Sequence, residues 1–440
     1  MAKTTSAPDG NLSRSSREII RHFTPAWFAA IMATGAISIL LYSFPYGRHT
    51  LAMRCLSLAF FFLNLLLFML FTTLTIMRYA SYPHTWTTML HDPVSSLYTG
   101  CFPMGVTTLI NVMVDVIHAD FQFGGSQFLY FIWAVWWADV AISILCCWGM
   151  VHIMTTTHKH SLQAMTSAWI LPVVTLTVAA SSGGVLARAL QNYSPLHALI
   201  SVAVAVFLVT IGLTLALMIM TIYLLRLIAY GLPPGPKIIS SFLPLGPTAQ
   251  SGYAFLLIGQ NFKSLLPLDH GVSDFLKSRE AGQIIHTVCI CMAFMLWSLA
   301  VMSIIFALMG IFETVRHRRI PFGLPFWGLV FPNGVFANLT INLSIAFDSN
   351  FFRILGSIYS IATFLVWVFV ATRTVALVYD RSIFEPQVDG GDDIEKSRIQ
   401  EQQKVRKGRR GCLISRAVFF SLQAGVLECL APGFDEYGLP

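Results

Sequence analysis

Phe331-Pro332-Asn333-Gly334 (FPNG) lies inside an apolar stretch long enough to cross a bilayer, and Phe102-Pro103-Met104-Gly105 (FPMG) repeats the pattern in an earlier stretch. A proline inside a helix removes a backbone hydrogen bond and crowds the preceding turn. In hydrocarbon the freed carbonyls have no water, so such a helix must lie against protein or a water-filled path. Working outward from these two sites gives about ten apolar spans, near 26–46, 51–77, 96–117, 128–150, 168–190, 196–228, 241–261, 283–311, 322–346 and 352–378. Prolines recur only in alternate spans: Pro103 in the third, Pro172 in the fifth, Pro244 and Pro247 in the seventh, and Pro332 in the ninth. The second, fourth, sixth, eighth and tenth hold none. The alternation predicts two layers, with kinked odd helices around an axis and smooth even helices facing lipid. The fold class expected is an all-α membrane protein of ten transmembrane helices, arranged as five hairpins around a central pore.

Composition supports this class. Hydrophobic residues make up 55% of the 440 and charged residues 11%, against about 25% charged in soluble domains. Ten spans of about 20 residues each consume most of the chain. The expected domains are a disordered tail at 1–22, a transport domain at 23–380 and a C-terminal tail at 381–440, partly amphipathic over 411–432. The short loops split their Lys and Arg evenly. The tails tip the balance through Lys3, Arg14, Arg17, Arg21 and the basic residues from Arg381 onward, which predicts that both termini are cytoplasmic. The net charge of +7 then belongs to tails near anionic lipid, not to nucleic-acid binding. The eight cysteines have no metal spacing, the twelve histidines form no ligand pair, and no P-loop, GxSxG or HExxH occurs. The chain is therefore expected to be no enzyme and to carry no cofactor or metal.

A path for anions needs partial positive charge without a trap. Broken helices supply it through uncapped N–H groups and half-helix dipoles. Candidates for the path are Thr34, Gly35, Ser38, Gly105, Thr108, Ser181, Ser182, Gly183, Gln250, Asn333 and Gly334. Phe331 and Phe102, each before a kinking proline, are candidate gates, because an aromatic ring on the axis closes a path by steric block and dewetting. Asp139, after Trp136-Trp137, is a carboxylate inside a span and a candidate for proton coupling or for pairing with Arg188 or Arg226.

The residues also carry a resemblance. Leu40 to Tyr46 (LLYSFPY), Phe102 to Asn111 (FPMGVTTLIN), Trp136 to Val140 (WWADV), Ala179 to Gly184 (AASSGG), Leu245 to Gln250 (LGPTAQ) and Phe326 to Gly334 (FWGLVFPNG) run in order along the chain. Together they resemble the tellurite-resistance/dicarboxylate transporter family, which includes the plant slow anion channels, over about residues 20–380. The likeness within it is to the sulfite-efflux branch. The resemblance implies five helical hairpins, a phenylalanine gate matching Phe331, a homotrimer with one pore per protomer, and a small anion, sulfite or bisulfite, as cargo. It implies a place in the plasma membrane and export driven by the membrane potential. The rival expectation from the same family is proton-coupled transport of malate or another dicarboxylate.

Overall fold

Long uncharged runs rich in Leu, Ile, Val and Ala form helices wherever glycine and proline leave the ladder intact. The computed structural model describes residues 20–47, 50–268, 273–317, 320–380 and 383. The expected disorder of the N-terminal tail and amphipathic character of 411–432 fall outside them. Ten long helices are described: α1 (Phe28–Ser43), α2 (Leu51–Ser81), α3 (Cys101–Val112), α4 (Gly125–Thr156), α5 (Leu171–Leu190), α6 (Pro195–Tyr230), α7 (Leu245–Leu265), α8 (Arg279–His317), α9 (Trp327–Ala346) and α10 (Asn350–Tyr379). Short helices at His84–His91 and Asp274–Lys277 occupy two connections. Local chemistry sets the ends. Ser194 caps α6 by accepting from His197 N at 3.3 Å, with Pro195 next to it. Gly231, at φ +74°, closes the same helix in a conformation that side-chain-bearing residues rarely adopt.

Among the described residues, nine helices are long and apolar enough to cross a membrane. The seventh expected span, α7, has the length at 21 residues. Its composition differs, because Gly246, Thr248, Gln250, Ser251, Gly252 and Asn261 lower its hydropathy, and all six are buried. A helix walled by protein need not match lipid.

Burial alternates along the chain. In the odd-numbered candidate spans 72–100% of the apolar window is buried, and in the even-numbered ones 22–33%. The odd helices pack in chain order, α1 on α3, α3 on α5, α5 on α7 and α7 on α9, and α9 returns to α1. Each even helix lies against the odd helix before it. The even helices turn large apolar side chains outward, among them Leu66, Leu145, Phe207, Met295 and Ile358. Their inner faces carry small or polar groups such as Ser57, Ser143, Ser201, Ser303 and Ser360, which let helices approach where lipid gives no hydrophobic drive between them. Three even helices also dock a tryptophan N–H on an odd neighbour. Trp136 donates to Ala179 O at 3.0 Å, Trp297 to Thr340 Oγ1 at 3.0 Å and Trp367 to Thr34 Oγ1 at 3.2 Å.

The prolines sit differently from expectation. Pro103 is in the first turn of α3, Pro172 is the second residue of α5, Pro244 precedes α7 and Pro247 is its third residue. Only Pro332 lies inside a helix. Proline is tolerated best near a helix start, because its fixed φ suits the first turn. What repeats is a 3₁₀ segment before every odd helix: Pro25–Trp27, Ser95–Gly100, Ser167–Ile170, Gly235–Phe242 and Leu324–Phe326. These five segments touch in chain order, and the fifth meets the first.

Candidate functional site

A small cavity of about 30 Å³ lies among the odd helices. Helix α1 contributes Ala36 and Ile39, α3 contributes Thr108 and Asn111, and the π-helical continuation of α3 (Met113–Asp120) contributes Asp115. Val178 comes from α5, Gln250 and Tyr253 from α7, and Phe331, Gly334, Val335 and Asn338 from α9. All five odd helices line it and no even helix does. The space suits about two waters.

The lining is a set of neutral polar groups on an apolar background. Thr108 Oγ1 donates to Gly105 O at 2.7 Å and accepts from Asn64 Nδ2 at 3.3 Å. Gln250 Nε2 donates to Ser181 Oγ, which in turn donates to Val178 O at 2.8 Å, so α7 is tied to α5. Asn338 Oδ1 accepts from Asn342 Nδ2 at 3.2 Å. Asn111 Oδ1 is buried and has no hydrogen-bond partner among the described residues. A buried polar atom is normally satisfied, and a solvent molecule in the cavity would satisfy this one. Phe331 is 5% exposed and forms part of the wall.

The residues expected from sequence fall in different places. Phe331, Thr108, Gln250 and Gly334 line the cavity. Gly35, Gly105 and Gly183 permit close approach instead. A Cβ on Gly35 would lie 2.1 Å from Thr108 Oγ1, one on Gly105 3.0 Å from Ile31 Cγ2, and one on Gly183 2.6 Å from Trp136 Cζ2. Thr34, Ser38 and Asn333 turn toward even helices. Thr34 accepts from Trp367, Ser38 Oγ donates to Ser57 O at 2.7 Å, and Asn333 Oδ1 accepts from Tyr359 of α10. Ser181 reaches the lining only through Gln250, and Ser182 is buried with its Oγ unpartnered among the described residues.

Two expectations need correction. The Phe102 ring packs 5.2 Å from Phe28 and 5.6 Å from Phe68, within an aromatic cluster joining α1, α2 and α3, and it is not in the cavity wall. Asp139 pairs with neither arginine. Arg188 donates to Asp115 Oδ1 at 2.7 Å, and Arg226 donates to Gln163 O at 3.0 Å and to Gly231 O. Asp139 is buried on α4, with both oxygens unpartnered among the described residues and outside the cavity wall.

Helical phase could have found the lining residues that residue type missed. Counting from Phe331, positions i+3, i+4 and i+7 are Gly334, Val335 and Asn338. Counting from Thr108, i+3 and i+7 are Asn111 and Asp115, and from Gln250, i+3 is Tyr253. Among the described residues no group of three His, Cys, Asp or Glu could hold a metal ion.

Comparison with known proteins adds a second line. A family model for voltage-dependent anion channels matches residues 22–375. The sulfite efflux pump of Trichophyton rubrum is 35% identical over 368 residues, covering 83% of this chain and 93% of that protein. The sulfite efflux pump of Candida albicans is 27% identical over 371 residues, 80% of this chain and 73% of that protein. The malic acid transport protein of Schizosaccharomyces pombe is 24% identical over 354 residues, with 79% and 77% covered.

Proposed function

The chain belongs to the voltage-dependent anion channel family, and on that premise we propose that it exports sulfite from the cell through the cavity at the centre of its odd helices. The observation that carries this reading is the cavity wall: five odd helices, neutral donors on three of them, and one phenylalanine ring. Thr108, Asn111, Gln250, Tyr253 and Asn338 offer O–H and N–H groups that replace part of an anion's hydration. None of the lining residues is Lys or Arg, so the path does not hold a singly or doubly charged anion too tightly to release it. Phe331 is the gate. In this account α7 is the tenth transmembrane helix, and the ten form five hairpins with odd helices inside and even helices outside. The protein sits in the plasma membrane with both termini in the cytoplasm, as a homotrimer with one path per protomer. A negative interior drives export by about 2.3 kcal/mol per charge per 100 mV, without ATP.

The test is sulfite tolerance. Expression in fungal cells lacking sulfite export is expected to restore growth on sulfite medium and to leave malate uptake unchanged. Malate uptake without sulfite tolerance would move the protein to the dicarboxylate reading, the activity named for the Schizosaccharomyces pombe relative.

Asp139 is the residue through which proton coupling would run, since it is a carboxylate buried in a span. If Asp139 couples protons, Asp139→Asn flattens the pH dependence of flux while the variant stays folded and monodisperse. Retained pH dependence assigns Asp139 to the packing of α4.

A further inference from the structure

The cavity wall holds a group that an anion path would seem to forbid. Asp115 is the one carboxylate in the lining, and it faces the space that an anion must cross. It is answered by Arg188 of α5, whose guanidinium lies 2.7 Å from Asp115 Oδ1. The two partners are exposed unequally, Arg188 at 48% and Asp115 at 16%. The carboxylate therefore looks inward, while the guanidinium keeps part of its surface open. Asp115 stands in the first turn of the π-helical segment and keeps the i+7 phase from Thr108. Such segments frequently coincide with functional positions. The far end of the same segment is fixed separately, by Asp120 at 3.0 Å from Arg54 of α2.

From this geometry we infer that Asp115 and Arg188 form a charge lock at the end of the path where the odd helices finish, and that they set how tightly the anion is held there. The inference rests on the cavity being the path. Arg188 draws the anion, and Asp115 cancels enough of that attraction for the anion to leave. Conduction needs both, since a site must be favourable enough to enter and weak enough to release. Neither charge is useful alone. A bare carboxylate at the wall repels the cargo, and a bare guanidinium retains it.

The lock is tested in proteoliposomes holding the full-length protein, with an imposed potential and sulfite and chloride fluxes measured side by side. Arg188→Gln exposes the carboxylate and is expected to lower sulfite flux by about tenfold or more. Asp115→Asn exposes the guanidinium and is expected to lower the sulfite concentration at half-maximal flux by about fivefold, with a reduced maximum. The double variant removes both charges and is expected to recover flux to within about threefold of the parent, because the repulsive element is gone. Wild-type flux in Arg188→Gln, a double variant as slow as Arg188→Gln, or unchanged half-saturation in Asp115→Asn would each overturn the lock. If Arg188→Gln does not elute as a folded species, Asp115→Asn and the double variant decide. A parent protein that passes chloride but no sulfite defeats the sulfite reading, and the lock is then decided on chloride. A parent that passes neither anion defeats the path and the lock together.

Discussion

Phe331→Ala is expected to raise potential-driven sulfite flux by roughly tenfold or more, because its ring is the bulkiest apolar group in the wall of a space that holds only about two waters. Phe331 is almost fully buried and forms part of the cavity wall. Truncation to a methyl group widens the space at its level. Phe→Ala in a packed interior costs about 3–5 kcal/mol, so flux must be normalised to folded protein, judged by size-exclusion profile and melting temperature. Phe331→Leu gives the graded control and is expected to fall between the two. Unchanged or lower flux in well-folded Phe331→Ala would place the constriction elsewhere.

Gly35→Ala is expected to be the most disruptive Gly→Ala substitution among the described residues. Its Cβ would stand 2.1 Å from Thr108 Oγ1, 2.4 Å from Thr108 Cβ and 2.8 Å from Asn64 Nδ2. Helices α1, α2 and α3 meet at this point, and Asn64 and Thr108 are hydrogen-bonded there. No rotamer of Thr108 relieves a clash with its own Cβ. The substitution must push α1 and α3 apart, at a cost of about 1–3 kcal/mol or more. Because Ala36 and Thr108 both line the cavity, the same shift distorts the path. The expected outcome is a lower melting temperature together with lost flux. Thr108→Gly in the same chain is expected to recover most of the stability, which a merely local helix-propensity effect would not allow. A Gly35→Ala protein that melts and conducts like the parent would show that the crossing is looser than its distances imply.

These contacts show where sequence reading succeeded and where it stopped. Prolines were informative because their cost in hydrocarbon restricts them to protein-walled helices. They marked the odd spans correctly even though most of them begin helices rather than break them. The 3₁₀ segment before each odd helix was not legible, since short 3₁₀ turns follow from packing more than from composition. Hydropathy understated α7 because buried glycine, hydroxyl and amide residues lower the average, among them Gln250, which lines the cavity and ties α7 to α5. Among site residues, glycine, serine and threonine were ambiguous by type. Ser38 and Thr34 face even helices and Thr108 faces the cavity, because small polar groups serve helix packing and solvent-lined paths equally well. The pairing of Asp115 with Arg188 joins positions 73 residues apart, and nothing in local spacing announces it.

Sulfite efflux from proteoliposomes, with the interior held negative and no proton gradient, is the decisive measurement. Sulfite flux is expected to grow with the potential, with malate flux in parallel vesicles remaining far smaller. Malate flux that requires a proton gradient, with sulfite left behind, would contradict it.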